Sequence, residues 1–152
     1  AIIPDFADFQ NQVLQLEAFS DQARKLPSTR CVTHRDYHLG NVLIATDGRV
    51  YGIDFENNAE DEALRDVMTL LFDFATRWRG DQRFGQLQQA AKRFWRSYGD
   101  QRTAPEVLEH FQRFAALNAW SNLANRDMRD PFRQAKLNWL KQLSARALNL
   151  AG

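Results

Sequence analysis

Between Asp5 and Lys25 the apolar side chains Phe6, Phe9, Val13, Leu14, Leu16 and Phe19 recur at an approximate helical period, and Pro27 closes the run. The pattern predicts an amphipathic helix over 5–25. It changes character after Arg30. Cys31-Val32-Thr33 is a short β-prone run, and Val42-Leu43-Ile44-Ala45 and Val50-Tyr51-Gly52-Ile53 flank Asp47-Gly48, a dipeptide that favours a tight hairpin turn. From Ala63 the helical period returns, predicting helices at about 62–79, 82–98, 105–125 and 131–150. The breaks are Gly80-Asp81, Gly99-Asp100 and Asp130-Pro131. The last pairs a capping Asp with a proline at the first helical position, where its missing N–H costs nothing. The expected fold is mainly α with a small β insert (α+β). It forms one domain over 1–152: a helix at 5–25, a loop and hairpin at 30–56, and a helical remainder at 62–150.

Composition agrees with a globular domain. With 152 residues, 44% of them hydrophobic and 26% charged, the chain is neither disordered, collagenous nor a disulfide miniprotein. A chain of this length buries roughly 70% of its unfolded surface without staples. The single cysteine, Cys31, has no intrachain partner, and no apolar run approaches a membrane span or a signal peptide. A cytoplasmic location with no membrane partner is expected. The net charge of +1 hides an asymmetry. Residues 1–76 carry six basic and thirteen acidic side chains, whereas 77–152 carry fourteen basic and six acidic. The basic half spaces its arginines helically with carboxylates between them, which suits solvated helix faces better than a nucleic-acid patch. The acidic excess peaks at Asp54, Glu56, Glu60, Asp61, Glu62 and Asp66. Such a cluster suits a metal or a cationic substrate.

The β insert holds two of the three histidines, in Thr33-His34-Arg35-Asp36-Tyr37-His38-Leu39-Gly40-Asn41-Val42, and after the hairpin it continues Gly52-Ile53-Asp54-Phe55-Glu56. Phosphoryl transfer from a nucleotide needs a carboxylate to orient and deprotonate an acceptor hydroxyl, plus oxygen ligands for Mg²⁺ on the phosphates. Asp36, Asn41 and Asp54 supply those residue types. A hairpin between Asn41 and Asp54 folds the chain back and brings the two together.

The order His34-Arg35-Asp36 followed by Asn41 matches the kinase catalytic-loop pattern, and Asp54-Phe55 falls where the metal-binding Asp-Phe pair follows it. His38, the Leu-Gly-Asn-Val-Leu run, the Ile-Asp-Phe-Glu step and Asp66 opening a helix resemble more specifically the aminoglycoside phosphotransferase and choline kinase branch. The likeness is close over about 28–75 and only architectural beyond. It implies a protein kinase-like fold, ATP as co-substrate and Mg²⁺ as cofactor. Asp36 would be the catalytic carboxylate and Asn41 and Asp54 the metal ligands. His34, His38, Glu56 and Asp66 would be supporting residues. The implied activity is transfer of the γ-phosphoryl group to a hydroxyl of a small molecule such as an aminoglycoside, choline or a sugar, and the acidic stretch tilts that acceptor towards a cation. Arg35 stands where the branch more often has Gly, and Glu56 where many relatives have Gly.

Other features receive plainer readings. His110 is assigned no function. Trp78, Trp95, Trp120 and Trp139 are read as helix packing rather than an aromatic cage, and Ala104-Pro105-Glu106 as a helix start rather than an activation-segment signature. No Gly-rich phosphate loop occurs, and Lys25, at a predicted helix end, is the only lysine before Asp36. Only 33 residues precede His34, whereas a nucleotide lobe takes on the order of 80 to 100. The chain is therefore expected to be a C-terminal catalytic lobe whose N-terminal nucleotide lobe is absent and supplied in cis or in trans, and to be inactive alone. The alternative is a non-catalytic or truncated kinase-like domain serving as a binding or scaffold module.

Overall fold

The computed structural model describes residues 2–77, 83–99 and 103–146. Its elements follow the order α1 (Phe6–Ala23), β1 (Arg30–Thr33), β2 (Val42–Ile44), β3 (Val50–Gly52), β4 (Ala59–Glu62), α2 (Ala63–Arg77), α3 (Arg83–Tyr98), α4 (Pro105–Ser121) and α5 (Pro131–Ala145). The protein is thus mostly helical, with two small antiparallel sheets.

Helix α4 lies at the centre, against α1, α2 and α5. Its apolar positions Val107, Leu108, Phe111, Ala115, Ala116 and Leu117 are buried, as is Trp120. Such positions lie three to four residues apart, so burial on one helix becomes a contiguous stripe. Trp120 is fully enclosed, with its indole N–H donating to the Pro4 carbonyl at 2.8 Å and Phe9 of α1 edge-on at 5.4 Å. Leu64, Met68, Leu71 and Phe72 of α2 and Leu137, Leu140 and Leu143 of α5 complete the core. Trp139 stacks on Phe72 at 5.9 Å, and Trp95 packs at the margin of the core; Trp78 lies outside the described residues. At the periphery, Lys141 of α5 bridges Asp5 and Asp8 at the start of α1, and the two carboxylates raise its pKa.

Several boundaries differ from the sequence reading. Helix α4 ends at Ser121 rather than near 125, because the chain turns into a left-handed conformation at Asn125 (φ 58°), whose N–H donates to the Ile2 carbonyl. Helix α5 stops at Ala145, since Arg146 is extended (φ −145°, ψ 112°). The break at Gly80-Asp81 lies outside the described residues, as does Asp100; Gly99 adopts φ 69°. Asp130 caps α5 by accepting from the Phe132 N–H at 2.9 Å, with Pro131 in the first turn.

Strand β4 was not anticipated. It pairs antiparallel with β1, setting Arg30 opposite Glu62 and Thr33 opposite Ala59, while β2 and β3 form a separate hairpin with Val42 opposite Gly52. Among the described residues no helix is long and apolar enough to cross a membrane.

Candidate active site

The loop after β1 is held from below by helix α2. Thr33, which ends β1, is buried and donates its hydroxyl to the Ala59 carbonyl of β4 at 3.0 Å. The chain then swings through Arg35 in the left-handed region (φ 67°), a conformation glycine adopts freely and other residues at a cost. Asp66, in the first turn of α2, meets that bend: its two oxygens accept the backbone N–H groups of His34 and Arg35 at 2.5 and 2.9 Å. Seven residues later on the same helix, Asp73 accepts the Leu39 N–H at 2.8 Å. Two carboxylates two turns apart therefore anchor the two ends of the loop. Asp66 was expected as a support. Asp73 was missed, although its i+7 spacing from Asp66 is the signal that places both on one helical face.

The hairpin is tied to this loop through Asn41 and His34. Asn41 is buried. Its N–H donates to the His38 carbonyl, its side-chain Nδ2 donates to the Asp36 carbonyl at 3.0 Å, and its own carbonyl accepts the Ile53 N–H at 3.0 Å. His34, 3% exposed, lies 2.6 Å through Nε2 from the Ile53 carbonyl. A carbonyl only accepts, so Nε2 is the donor here, while the buried Nδ1 has no partner. Phe55 and Tyr37 flank the imidazole at 4.5 and 5.4 Å. Gly52 admits this packing: a Cβ there would stand 3.2 Å from the Phe55 ring.

Asp54 follows immediately, also left-handed (φ 66°), and its side chain caps nothing. Among the described residues the carboxylates of Asp54 and Glu56 have no hydrogen-bond or ion-pair partner, and both residues are exposed. Two non-glycine residues in the left-handed region, one at each limb of the motif, place strain where function concentrates it. Asn41 commits its amide nitrogen to Asp36 and keeps Oδ1 as a spare donor atom. One amide oxygen and one unengaged carboxylate are a donor set that Mg²⁺ accepts alongside waters and phosphates, so these residues fit the ion. Among the described residues there is no cluster of three or more His, Cys, Asp or Glu arranged for a metal. His38 accepts the Gly40 N–H at Nδ1 (3.0 Å), and its Nε2 faces Asp36 at 3.7 Å, beyond hydrogen-bonding range.

The rest of the acidic run is occupied in structure. Asp61 pairs with Arg65 at 2.7 Å and reaches Arg35 at 3.9 Å, while Glu60 and Glu62 flank Arg30 at 3.8 and 3.3 Å. None of these carboxylates lines the cavity that Asp36 faces. Asp36 instead lines a cavity of about 490 Å³ with His38, Thr69 and Asp73, the amides Asn118 of α4 and Asn122 just after it, and the charged residues Arg126, Asp130, Arg133 and Lys136. A larger cavity of about 640 Å³, between α1, α4 and the β1–β4 sheet, contains no catalytic-motif residue. His110 lines it, with a pKa lowered first by burial and then by Arg24, Arg113 and Arg65.

The family model described as phosphotransferase enzyme family matches residues 3–111. No curated protein and no solved structure matches the chain.

Proposed function

The chain belongs to the phosphotransferase enzyme family, and on that footing we propose that it is the catalytic lobe of a small-molecule kinase, which transfers the γ-phosphoryl group of ATP to an acceptor hydroxyl. The observation that carries this reading is the position of Asp36. Its backbone carbonyl is gripped by Asn41, while its carboxylate stands exposed at the edge of a cavity of small-molecule size. A scaffold has no need for that arrangement.

In this reading Asp36 accepts a hydrogen bond from the acceptor hydroxyl and aims its oxygen at the phosphorus. It takes the proton as the new O–P bond forms and the bond to the leaving ADP breaks. Asn41 and Asp54 would hold Mg²⁺, which supplies charge neutralisation on the phosphates. His34 and Asp66 keep the two limbs in register, His34 through Ile53 and Asp66 through the bend at Arg35. His38 sits beside the Asp36 carboxylate, and Glu56 adds negative charge near Asp54. In this reading the remainder of the nucleotide site would be supplied by an N-terminal lobe, in cis or in trans.

Steady-state kinetics of the intact enzyme test the assignment. Asp36→Asn keeps size and removes the base, so kcat should fall about 10²- to 10⁴-fold with little change in acceptor KM. The melting temperature should hold. A melting temperature that drops while kcat is preserved makes Asp36 a loop residue and sinks the proposal.

A further inference from the structure

Resting on the reading of Asp36 as proton acceptor, we infer that the acceptor is itself anionic: a hydroxylated small molecule whose carboxylate or phosphate sits against Arg126 in the cavity beside Asp36. The charges of that cavity divide into those already engaged and those available. Asp73 accepts the Leu39 N–H, and Asp130 caps α5 and faces Arg133 at 3.7 Å. Arg133 also donates to the Asp127 carbonyl at 2.9 Å.

Arg126 is different. It stands exposed in the turn after α4, fixed by its N–H to the Leu123 carbonyl, and among the described residues no carboxylate pairs with its guanidinium. The adjacent Asp127 is taken by Arg129 through bonds of 2.9 and 3.0 Å. A planar guanidinium facing a cavity without a counter-ion matches the paired oxygens of a carboxylate or phosphate.

A cationic acceptor, by contrast, finds little to meet it. Of the acidic run that suggested one, Glu60, Asp61, Glu62 and Asp66 are directed to Arg30, Arg35, Arg65 and the loop backbone, and Asp54 and Glu56 do not line this cavity. The inferred charge of the acceptor is therefore opposite to the one the acidic stretch suggests.

Four sugars of one frame test this: glucuronate, glucose 6-phosphate, glucose and glucosamine, titrated into the protein by calorimetry. At least one anionic sugar should bind about tenfold or more tighter than glucose, with glucosamine weakest, and Arg126→Gln should reduce that preference to about twofold. The better of the two anions identifies carboxylate or phosphate. Equal binding of all four sugars, no binding of either anion, or a preference that survives Arg126→Gln overturns the inference. Binding is read without turnover, so the outcome is separable from that of Asp36→Asn. Loss of transfer in that variant alongside indifferent sugar binding refutes only the anionic acceptor; full transfer refutes the role of Asp36.

Discussion

Removing the Asp66 carboxylate should unlatch the catalytic loop while leaving the helical core in place. Its two oxygens accept the N–H groups of His34 and Arg35, and a hydrogen bond to a charged group contributes about 1.5–3 kcal/mol. Asp66 is half-buried, so the two together are discounted to about 2–4 kcal/mol. That is a sizeable share of the about 5–15 kcal/mol by which a domain is stable. Asp66→Asn is the informative change. The amide offers one oxygen, and its NH₂ then confronts the second N–H donor to donor, so it should cost nearly as much as Asp66→Ala. Asp61→Asn, which loses only partly exposed ion pairs with Arg65 and Arg35, should cost under about 1 kcal/mol. Urea denaturation gives the stabilities, and amide hydrogen exchange localises them: His34 and Arg35 should exchange faster in both Asp66 variants. Unchanged exchange at those two amides, with stability within about 0.5 kcal/mol of wild type, refutes the latch.

Two further outcomes concern single positions. Arg35→Gly relieves a left-handed residue, a gain of about 1–2 kcal/mol offset in part by about 0.4–1 kcal/mol of unfolded-state entropy; it should be neutral or mildly stabilising in chemical denaturation, and a clear loss would show that the arginine side chain holds the bend. His110 has a depressed pKa, so below its ordinary 6.5 the unfolded chain takes up a proton that the folded chain resists. Stability present above pH 6.5 is then lost as the pH falls. Melting temperatures from about pH 8 to 5 should fall more steeply for wild type than for His110→Gln, and parallel curves would reject the effect.

The helices were legible because their apolar stripes are local information. Their ends were less so. Helix α4 stops where Asn125 bonds to Ile2, a contact 123 residues away in sequence that no window contains. Strand β4 was invisible for a related reason: Ala59-Glu60-Asp61-Glu62 is a poor β sequence by composition. It becomes a strand because β1 offers a ladder and Arg30 pairs with its acidic side chains Glu60 and Glu62. The same blindness made its carboxylates look available for a ligand. At the site, spacing and the hairpin signal brought Asp36, Asn41 and Asp54 onto two adjoining limbs. Arg126 carried no signal at all, since an arginine in a turn becomes informative only when the fold shows what it faces and what has left it unpaired.

The hairpin that presents Asp54 sends no side chain into the buried core, and Leu43, Ile44, Val50 and Tyr51 on its two strands are all exposed. A two-stranded ribbon is marginal on its own in water, so this limb opens at a lower free energy than the helices unfold. Asn41 sits in the loop that α2 anchors and Asp54 at the end of the hairpin. A ligand that bridges the two binds only the arrangement in which both limbs are in place, and its apparent affinity is the intrinsic affinity multiplied by the closed fraction of the ensemble. Ligand affinity is thereby coupled to a part of the molecule that global stability barely senses. A substitution at Leu43 or Tyr51, remote from any transferred atom, is felt as weaker binding while the thermal transition of the helical body stays where it was.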